Sequence, residues 1–542
     1  MKNKNQKTTK IVGFQSGHDV SYAILENGVP IIHEELERFT REKEPFGDGL
    51  NMFFQRNPDM DDINYFAFGN PGSREMHPYR EKCYNEEDQI KMEKILEKNV
   101  GKYYKVGHHK SHASNAFYSS NFEESLIITI DGGGREENLK DTAFTVWIGK
   151  LNKIKGVEII PAAKLNIGSP WRAYTGEIFG LSDGYPYGNQ AGTVMGMACV
   201  GEPKYVDDFL TAFRSGGGKR SPHVLNNIQK YKPIAEKSEQ DKFDIAASLQ
   251  LATEIITKEV MTPFVNKYKM KNLCLSGGVA LNSVMVGKMY DWFEGVVENI
   301  FVDPIPYDGG LALGSARYLW HQILDNPRIK WEDNSSSYLG CVYDKDDIEK
   351  AIEKYDDKIK ITKTTDNYVT DLLTKNDNVI SVFHGGSESG RRALGNRSII
   401  ADPRSKNMKD IINEKVKHRQ WFRPFAPSIL REDVKDWFEK DIDSPYMTTV
   451  INFKKSVRNK VPAVVHLDGT GRLQTVTEND NKWYYNFIKL FKQKTGVPIL
   501  LNTSFNDREP IVETPEHAIN CFVGTDIDYL YFCDVNLLVE KK

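Results

Sequence analysis

The sequence predicts an α/β architecture, α+β when the whole chain is counted, on three observations. Apolar, β-rich runs end in loops of glycine and aspartate or asparagine, as in "SLIITIDGGG" and "NLCLSGGVALN". Helical periodicity fills the intervals, for example "DIAASLQLATEIITKEVMTPFVNKY" at 244–268. Alternation of the two along one chain is the pattern of an α/β fold. Taken in order, residues 10–38 read as a strand ("KIVGFQ"), a tight loop ("SGHD") and a hairpin ("VSYAIL", "ENG", "VPIIHEELE"). "KVGHHKSHASNAFYSS" (105–120) reads as a helix start, and 125–134 and 272–282 as strands entering glycine loops. "DPIPYDGGLALGSA" (303–316) ends in a helix of small residues. The polar, Ser-rich segment 326–340 suits a linker, dividing the chain into units 1–335 and 336–542. Beyond it, "NVISVFHGG" and "GVPILLNTSFN" look like buried strands that run into polar loops.

The 542 residues allow roughly two to four domains. With 39% hydrophobic and 27% charged residues the composition is that of a globular protein, and no stretch approaches the length of a membrane span. The polar start "MKNKNQKTTK" lacks a signal-peptide core and reads as a short arm on a cytoplasmic protein. Six scattered cysteines, none in CxxC spacing, argue for neither a zinc ribbon nor a disulfide framework. A net charge of -3 provides no global attraction for nucleic acid. Charge is uneven, however: between Arg391 and Arg423 there are ten Lys or Arg against Asp402, Asp410 and Glu414, an excess that calls for an anion.

His108 and His112, four apart, share one helix face and can aim at a common point, while His109 faces elsewhere. Two imidazoles make an incomplete metal site; without further ligands this is a partly exposed, polar helix start. Asp131 and Asp308 each follow an apolar run and would emerge at strand ends, where either could complete the site. Glycine and aspartate after strands suit an actin-like or sugar-kinase-like nucleotide fold, with "SGHD" and "IDGGG" as equivalent loops of two similar halves. The pair Gly277 and Gly278 can cradle a nucleotide, and Asn282 can either bind it or cap a helix. In 169–198, Trp171, Tyr174, Phe179, Tyr185 and Tyr187 form either an aromatic wall or core.

In order, "GHDVSYAIL", "EELERFTREK", "HHKSHASNAF", "IDGGG", "MGMA", "LSGGVALN" and "DGGLALGSA" resemble the O-carbamoyltransferase family of NodU and tobramycin-carbamoylating type. "SESGRRALGNRSIIADPR", "KHRQWFRPFAP", "VPAVVHLDGTGRLQTV" and "GVPILLNTSFNDREPIV" extend the resemblance through the second unit. Two stretches depart from that pattern, at Ser389, Arg391 and Glu44. The family usually reads Phe-Gly-Pro-Arg where this chain has Ser389-Gly390-Arg391-Arg392, and Lys-His where it has Lys43-Glu44. Arg391, beside the matching Arg392, is expected to point to solvent.

The resemblance implies an actin-like N-terminal domain with duplicated halves and a YrdC-like C-terminal domain. It implies ATP, with Mg2+, and carbamoyl phosphate as substrates that combine into carbamoyl adenylate in the second domain. The carbamoyl group then passes to a hydroxyl in the first, through an internal channel that protects the mixed anhydride from water. The implied anion-binding residues are Arg392, Lys417, Arg423, Arg472, Asn502 and Ser504. His108, His112 and Asp308 become ligands of Fe2+ or Zn2+, with Asp131 a fourth ligand or an orienting group. His18, Asp19 and Lys43 line this pocket, and one of His18, His109 or Asp131 is the base for the acceptor hydroxyl. Gly277, Gly278 and Asn282 hold the carbamoyl adenylate. The acceptor is a small molecule, whether sugar, nucleoside, nucleotide or natural product, and a second copy of the chain is a candidate partner.

Threonylcarbamoyl transfer to tRNA is disfavoured by the neutral charge and the second unit. Hydrogenase-maturation carbamoyltransferases carry CxxC zinc fingers, absent here. A plain sugar kinase would leave residues 378–515 unexplained.

Overall fold

The computed structural model of the chain describes residues 8–70, 102–136, 141–182, 189–329 and 337–542. The expected unit boundary at 335/336, and with it Tyr185 and Tyr187, lies outside the described residues. Sheets and helices mix throughout, as an α/β chain should.

The first sheet holds β1 (Lys10–Gln15), β2 (Ser21–Glu26), β3 (Val29–Glu35), β4 (Tyr65–Phe68) and β5 (Tyr103–Lys105) in the order β3-β2-β1-β4-β5. The second holds β6 (Glu124–Arg135), β7 (Asp141–Lys150), β8 (Lys153–Pro161), β9 (Asn272–Ser276) and β10 (Asn299–Val302), ordered β10-β9-β6-β7-β8. Both sheets have one topology: the first three strands form an antiparallel meander, and the fourth and fifth add in parallel beside the first. Parallel additions need crossovers, and helices supply those from β3 to β4, from β8 to β9 and from β9 to β10.

The helix His108–Ser119 leads from β5 of the first sheet to β6 of the second, and every residue of it but Lys110 is buried. It packs against the helix Leu311–Tyr318, and small residues permit the approach: a Cβ on Gly314 would stand 2.0 Å from the Ser111 carbonyl oxygen. A buried polar network locks the pair. Asn115 donates to Asp303 at 3.0 Å, and Arg317, wholly buried, donates to Asn115 at 2.7 Å.

The C-terminal part, from residue 337, is built on a nine-stranded mixed sheet that includes β11 (Ile359–Lys363), β15 (Thr449–Asn452), β18 (Tyr529–Phe532) and β19 (Leu537–Lys541) and is ordered β11-β19-β18-β12-β13-β17-β14-β16-β15. The strands that position the site are β12 (Ile380–Phe383), β13 (Arg397–Ala401), β14 (Ala426–Leu430), β16 (Thr470–Val476) and β17 (Ile499–Ser504). Its core is separate from those of the first two sheets. The parts meet closely where Gly287 lies against the backbone of Val450. Among the described residues no helix is long and apolar enough to cross a membrane.

Candidate functional site

The first wall of the site is built by three chain segments that end at one point. The helix from His108 begins three residues after β5 and presents His108 and His112, whose Nε2 atoms stand 3.2 Å apart. The expected polar, exposed helix start is instead deeply buried, because β6 and β9 cover it. Asp131 does not sit at a strand end but inside β6, at the irregularity between Ile130 and Gly134 that breaks the pairing with β7. That bulge turns its carboxylate inward, where it accepts from the backbone N–H of Gly132 and Gly278, both at 2.5 Å. Asp308 follows β10, and its neighbour's carbonyl, Gly309 O, is held by Ser21 Oγ and His33 Nε2, both at 2.8 Å. The first sheet thus fixes a ligand delivered by the second.

The ligand atoms of His108, His112, Asp131 and Asp308 lie within 4.8 Å of one another. Asp308 Oδ1 is 3.6 Å from His108 Nε2 and 3.5 Å from His112 Nε2, and Asp131 Oδ2 is 3.5 Å from His112 Nε2. Ser276 Oγ donates to Pro306 O at 3.2 Å, so its 3.3 Å contact with His112 Nδ1 is one in which the ring donates. That tautomer leaves the Nε2 lone pair aimed at the cluster, the role such an outer partner plays behind a metal-bound imidazole. Two imidazoles and two carboxylates, converging with lone pairs forward, fit a divalent cation such as Zn2+ or Fe2+.

His109 is not part of this wall. Its Nε2 donates to Thr142 O at 2.7 Å and its Nδ1 meets Thr129 Oγ1 at 2.6 Å. Burial holds it well below the usual imidazole pKa, and with both nitrogens occupied the expectation that it is a base is corrected. His18 and Asp19 do line the cavity. His18 Nδ1 donates to Asp19 Oδ2 at 2.9 Å, while Nε2 faces Asp308 Oδ2 at 3.6 Å. Burial and Arg172 oppose protonation of His18, but Asp19 and Asp308 outweigh them and raise it. Burial likewise pushes the Asp19 carboxyl up, and Arg391 and His18 more than offset it, holding it at about 2.

Arg391, expected in solvent, instead reaches across the cavity. Its Nη2 pairs with Asp19 at 2.6 Å and Glu44 at 2.7 Å, and the guanidinium lies 4.4 Å over the Tyr307 ring.

A cavity of about 480 Å³ runs from Asp131 and Asp308 past His18, Asp19 and Lys43 to Arg392, Arg423 and Ser504. The β12–β13 loop is shaped by Glu388, whose Oε1 accepts from the backbone N–H of Leu394, Asn396 and Arg397 at 2.8, 2.7 and 3.0 Å. The loop presents Arg392. Burial, and then Arg391 and Arg423, push its guanidinium down to about 10. Arg472 on β16 is pushed well down by burial and then by Arg392, Arg419 and Arg423. Partly buried guanidinium groups that depress one another form a standing demand for an anion.

Three expected anion contacts are not at the cavity wall: Arg472, which stands behind it, and two others that are engaged inside the protein. Lys417 is 3% exposed, and its ammonium donates to Ser504 O, to Asn506 O at 2.7 Å and to Asn506 Oδ1 at 2.6 Å, so it holds the loop that carries Ser504. Asn502 is fully buried and donates to Ala393 O, Ser428 Oγ and Gln474 Oε1. For Lys417 and Asn502 the expectation becomes a positioning role. Gly277 serves the turn after β9: its φ is +88° and an added Cβ would meet Ile130 O at 2.2 Å. Gly278 and Asn282 line the cavity, and Asn282 also caps the helix Ser283–Trp292 by accepting from Met285 N–H. Of the aromatic stretch, Trp171 faces the cavity while Tyr174 and Phe179 are core.

Sequence reasoning missed Arg391, Glu44, Ser276 and Arg419 as participants. A charged residue next to a motif arginine, or a serine in a glycine loop, carries no local sign of a partner far away in sequence.

Residues 75–317 match the family described as "Carbamoyltransferase N-terminus" and residues 371–541 that described as "Carbamoyltransferase C-terminus". An uncharacterized protein of Synechocystis sp., sll1178, is 34% identical over 477 residues, covering 78% of this chain and 74% of that one. Nodulation protein NolO of Bradyrhizobium diazoefficiens is 35% identical over 445 residues, 78% of this chain and 77% of that one. Nodulation protein U of Rhizobium tropici is 31% identical over 266 residues, 48% of this chain and 44% of that one.

Proposed function

This chain belongs to the carbamoyltransferase family, and from that premise we propose that it is an ATP-dependent O-carbamoyltransferase working in two steps along one cavity. As a family member it is an enzyme that transfers carbamoyl groups. The repeated strand order of the first two sheets supports an actin-like unit with duplicated halves, and the separate core of the nine-stranded sheet supports a second, YrdC-like unit, divided near 335/336.

In the first step ATP, with Mg2+, and carbamoyl phosphate bind against Arg392 and Arg423, with Arg472 and Arg419 adding positive potential behind them. Planar guanidinium forks suit phosphate oxygens, and Ser504 Oγ offers a neutral contact. The products are carbamoyl adenylate, pyrophosphate from ATP and inorganic phosphate from carbamoyl phosphate, with one water consumed in releasing that phosphate. The adenylate stays inside the cavity, which limits its exposure to water.

In the second step the carbamoyl group moves to a hydroxyl of a small molecule: a sugar, a nucleoside, a nucleotide or a natural product. A divalent cation held by His108, His112, Asp131 and Asp308, Fe2+ or Zn2+, supplies Lewis acidity to a carbonyl oxygen beside it. His18 takes the hydroxyl proton at Nε2. Its Nδ1–H is committed to Asp19, which fixes the tautomer as an orienting carboxylate does in a catalytic triad. Gly278 and Asn282 border the path of the adenylate.

The observation that carries this reading is that one cavity is lined both by Arg392 and Arg423 and by Asp131 and Asp308. A phosphotransferase would need no second unit. Incubation with ATP and carbamoyl phosphate tests it: pyrophosphate release should require both. ADP formed without carbamoyl phosphate would overturn the proposal in favour of a kinase.

A further inference from the structure

The cavity is crossed by an ion network that joins parts of the chain 372 residues apart. Arg391, from the β12–β13 loop, inserts its guanidinium between Asp19 Oδ1 at 2.6 Å and Glu44 Oε1 at 2.7 Å. The second oxygen of each carboxylate is also engaged: Asp19 Oδ2 accepts from His18, and Glu44 Oε2 from Arg172 at 3.1 Å. Asp19 and Glu44 are both nearly buried, their side chains 8% and 6% exposed. Each stands in the left-handed backbone region, with φ of 53° and 51°, which a non-glycine residue holds only where its surroundings impose it. The cation that both carboxylates face is such an imposition.

We propose that Arg391 is a positioning residue of the transfer step, supplied by the C-terminal part to the His18 site of the N-terminal part, with Glu44 as its counter-charge. Arg391 fixes Asp19, and Asp19 fixes the His18 ring. Without the guanidinium, two buried carboxylates would face each other across the wall, and the turn that carries His18 and Asp19 would relax. The adenylate-forming part therefore completes the transfer site. This rests on the proposed function in one respect, that His18 is the base.

The test uses the zinc-loaded full chain labelled with nitrogen-15 histidine, its His18 ring signals assigned through His18→Gln. Wild-type protein should show one fixed ring, protonated at Nδ1. Arg391→Met should broaden or split those signals, and Arg391→Lys, which keeps the cation, should restore them in part. Two defined acceptors then read function. Hydroxylamine attacks the carbamoyl carbon through nitrogen as AMP leaves, giving hydroxyurea without a base. With glycerol an oxygen–carbon bond forms, the bond to AMP breaks, and the hydroxyl proton goes to His18 Nε2.

Arg391→Met should lower the ratio of glycerol carbamate to hydroxyurea by about 10- to 100-fold, with any hydroxyurea formed certifying that the chain is folded. An unchanged ring signature together with an unchanged ratio of the two products would overturn the proposal. If wild-type protein carbamoylates no glycerol, the ring signature decides alone. Absence of hydroxyurea from wild-type protein would bring down the adenylate reading and leave the role of Arg391 to the ring signals.

Discussion

Replacing Gly134 by alanine should empty the metal centre with a single methyl group. Gly134 lies in β6 just past the bulge, against the flat of the His108 ring. An added Cβ would stand 2.1 Å from His108 Cγ, 2.2 Å from Cδ2 and 2.5 Å from Nδ1. Carbon atoms in comfortable contact are about 3.5 Å apart, so the ring would have to retreat by about 1.4 Å. Metal–ligand distances tolerate about 0.2 Å, so His108 would no longer reach the cation. Loss of a ligand should weaken zinc binding by about 100-fold or more, about 2.8 kcal/mol. Crowding a packed core also costs stability, typically about 1–3 kcal/mol, so thermal unfolding of the metal-free proteins is followed in parallel. Zinc content after gel filtration and competition against a chromophoric chelator provide the assay. Gly192→Ala, where an added Cβ meets nothing within 4 Å, is the control and should bind zinc normally. Wild-type zinc affinity in a folded Gly134→Ala protein would refute the assignment of His108 as a ligand.

Lys417→Met should remove the ammonium shared by Ser504 O, Asn506 O and Asn506 Oδ1, leaving Ser504 O only the Asn506 N–H and Asn506 Oδ1 only the Ser504 Oγ, destabilise the chain by about 1–3 kcal/mol in chemical denaturation, and slow pyrophosphate release as the Ser504 loop loosens. Stability should also fall in mild acid. His33 is 2% exposed and burial holds it at about 4, so the folded state stays neutral while the unfolded chain gains a proton near 6.5. A depressed histidine leaves stability intact above the unfolded value and removes it as pH falls from 6.5 toward 4, by up to about 1.4 kcal/mol per pH unit. Urea midpoints on either side of that window should differ less in His33→Gln than in wild-type protein; an equal difference would reject His33 as a source.

Local pattern made β1, β2, β3, β6 and β9 legible but not the other five strands of the first two sheets, and it made the His108–His112 pair legible, because an i, i+4 spacing fixes a helix face whatever the rest of the chain does. It also placed His109 off that face. Burial was not legible: eleven residues of a polar-looking helix are buried because β6, β9 and the helix Leu311–Tyr318 close over them, and those contacts are long-range. Lys417 and Arg392 look alike in sequence as basic residues of one charged stretch. Only the loop after β17 decides that one is an internal strut and the other a cavity wall. Arg391 was misplaced for the same reason, since its partners Asp19 and Glu44 stand hundreds of residues away.

The most direct test of the account is pyrophosphate release from ATP and carbamoyl phosphate in two folded variants, His112→Ala and Arg392→Met. The account assigns activation to the arginine wall and transfer to the histidine–aspartate wall. His112→Ala should therefore release pyrophosphate as wild-type protein does. Arg392→Met, lacking a charge-assisted contact of about 1.5–3 kcal/mol, should release it about 10- to 100-fold more slowly. Loss of pyrophosphate release in folded His112→Ala would contradict the division, and would mean that both walls serve a single step.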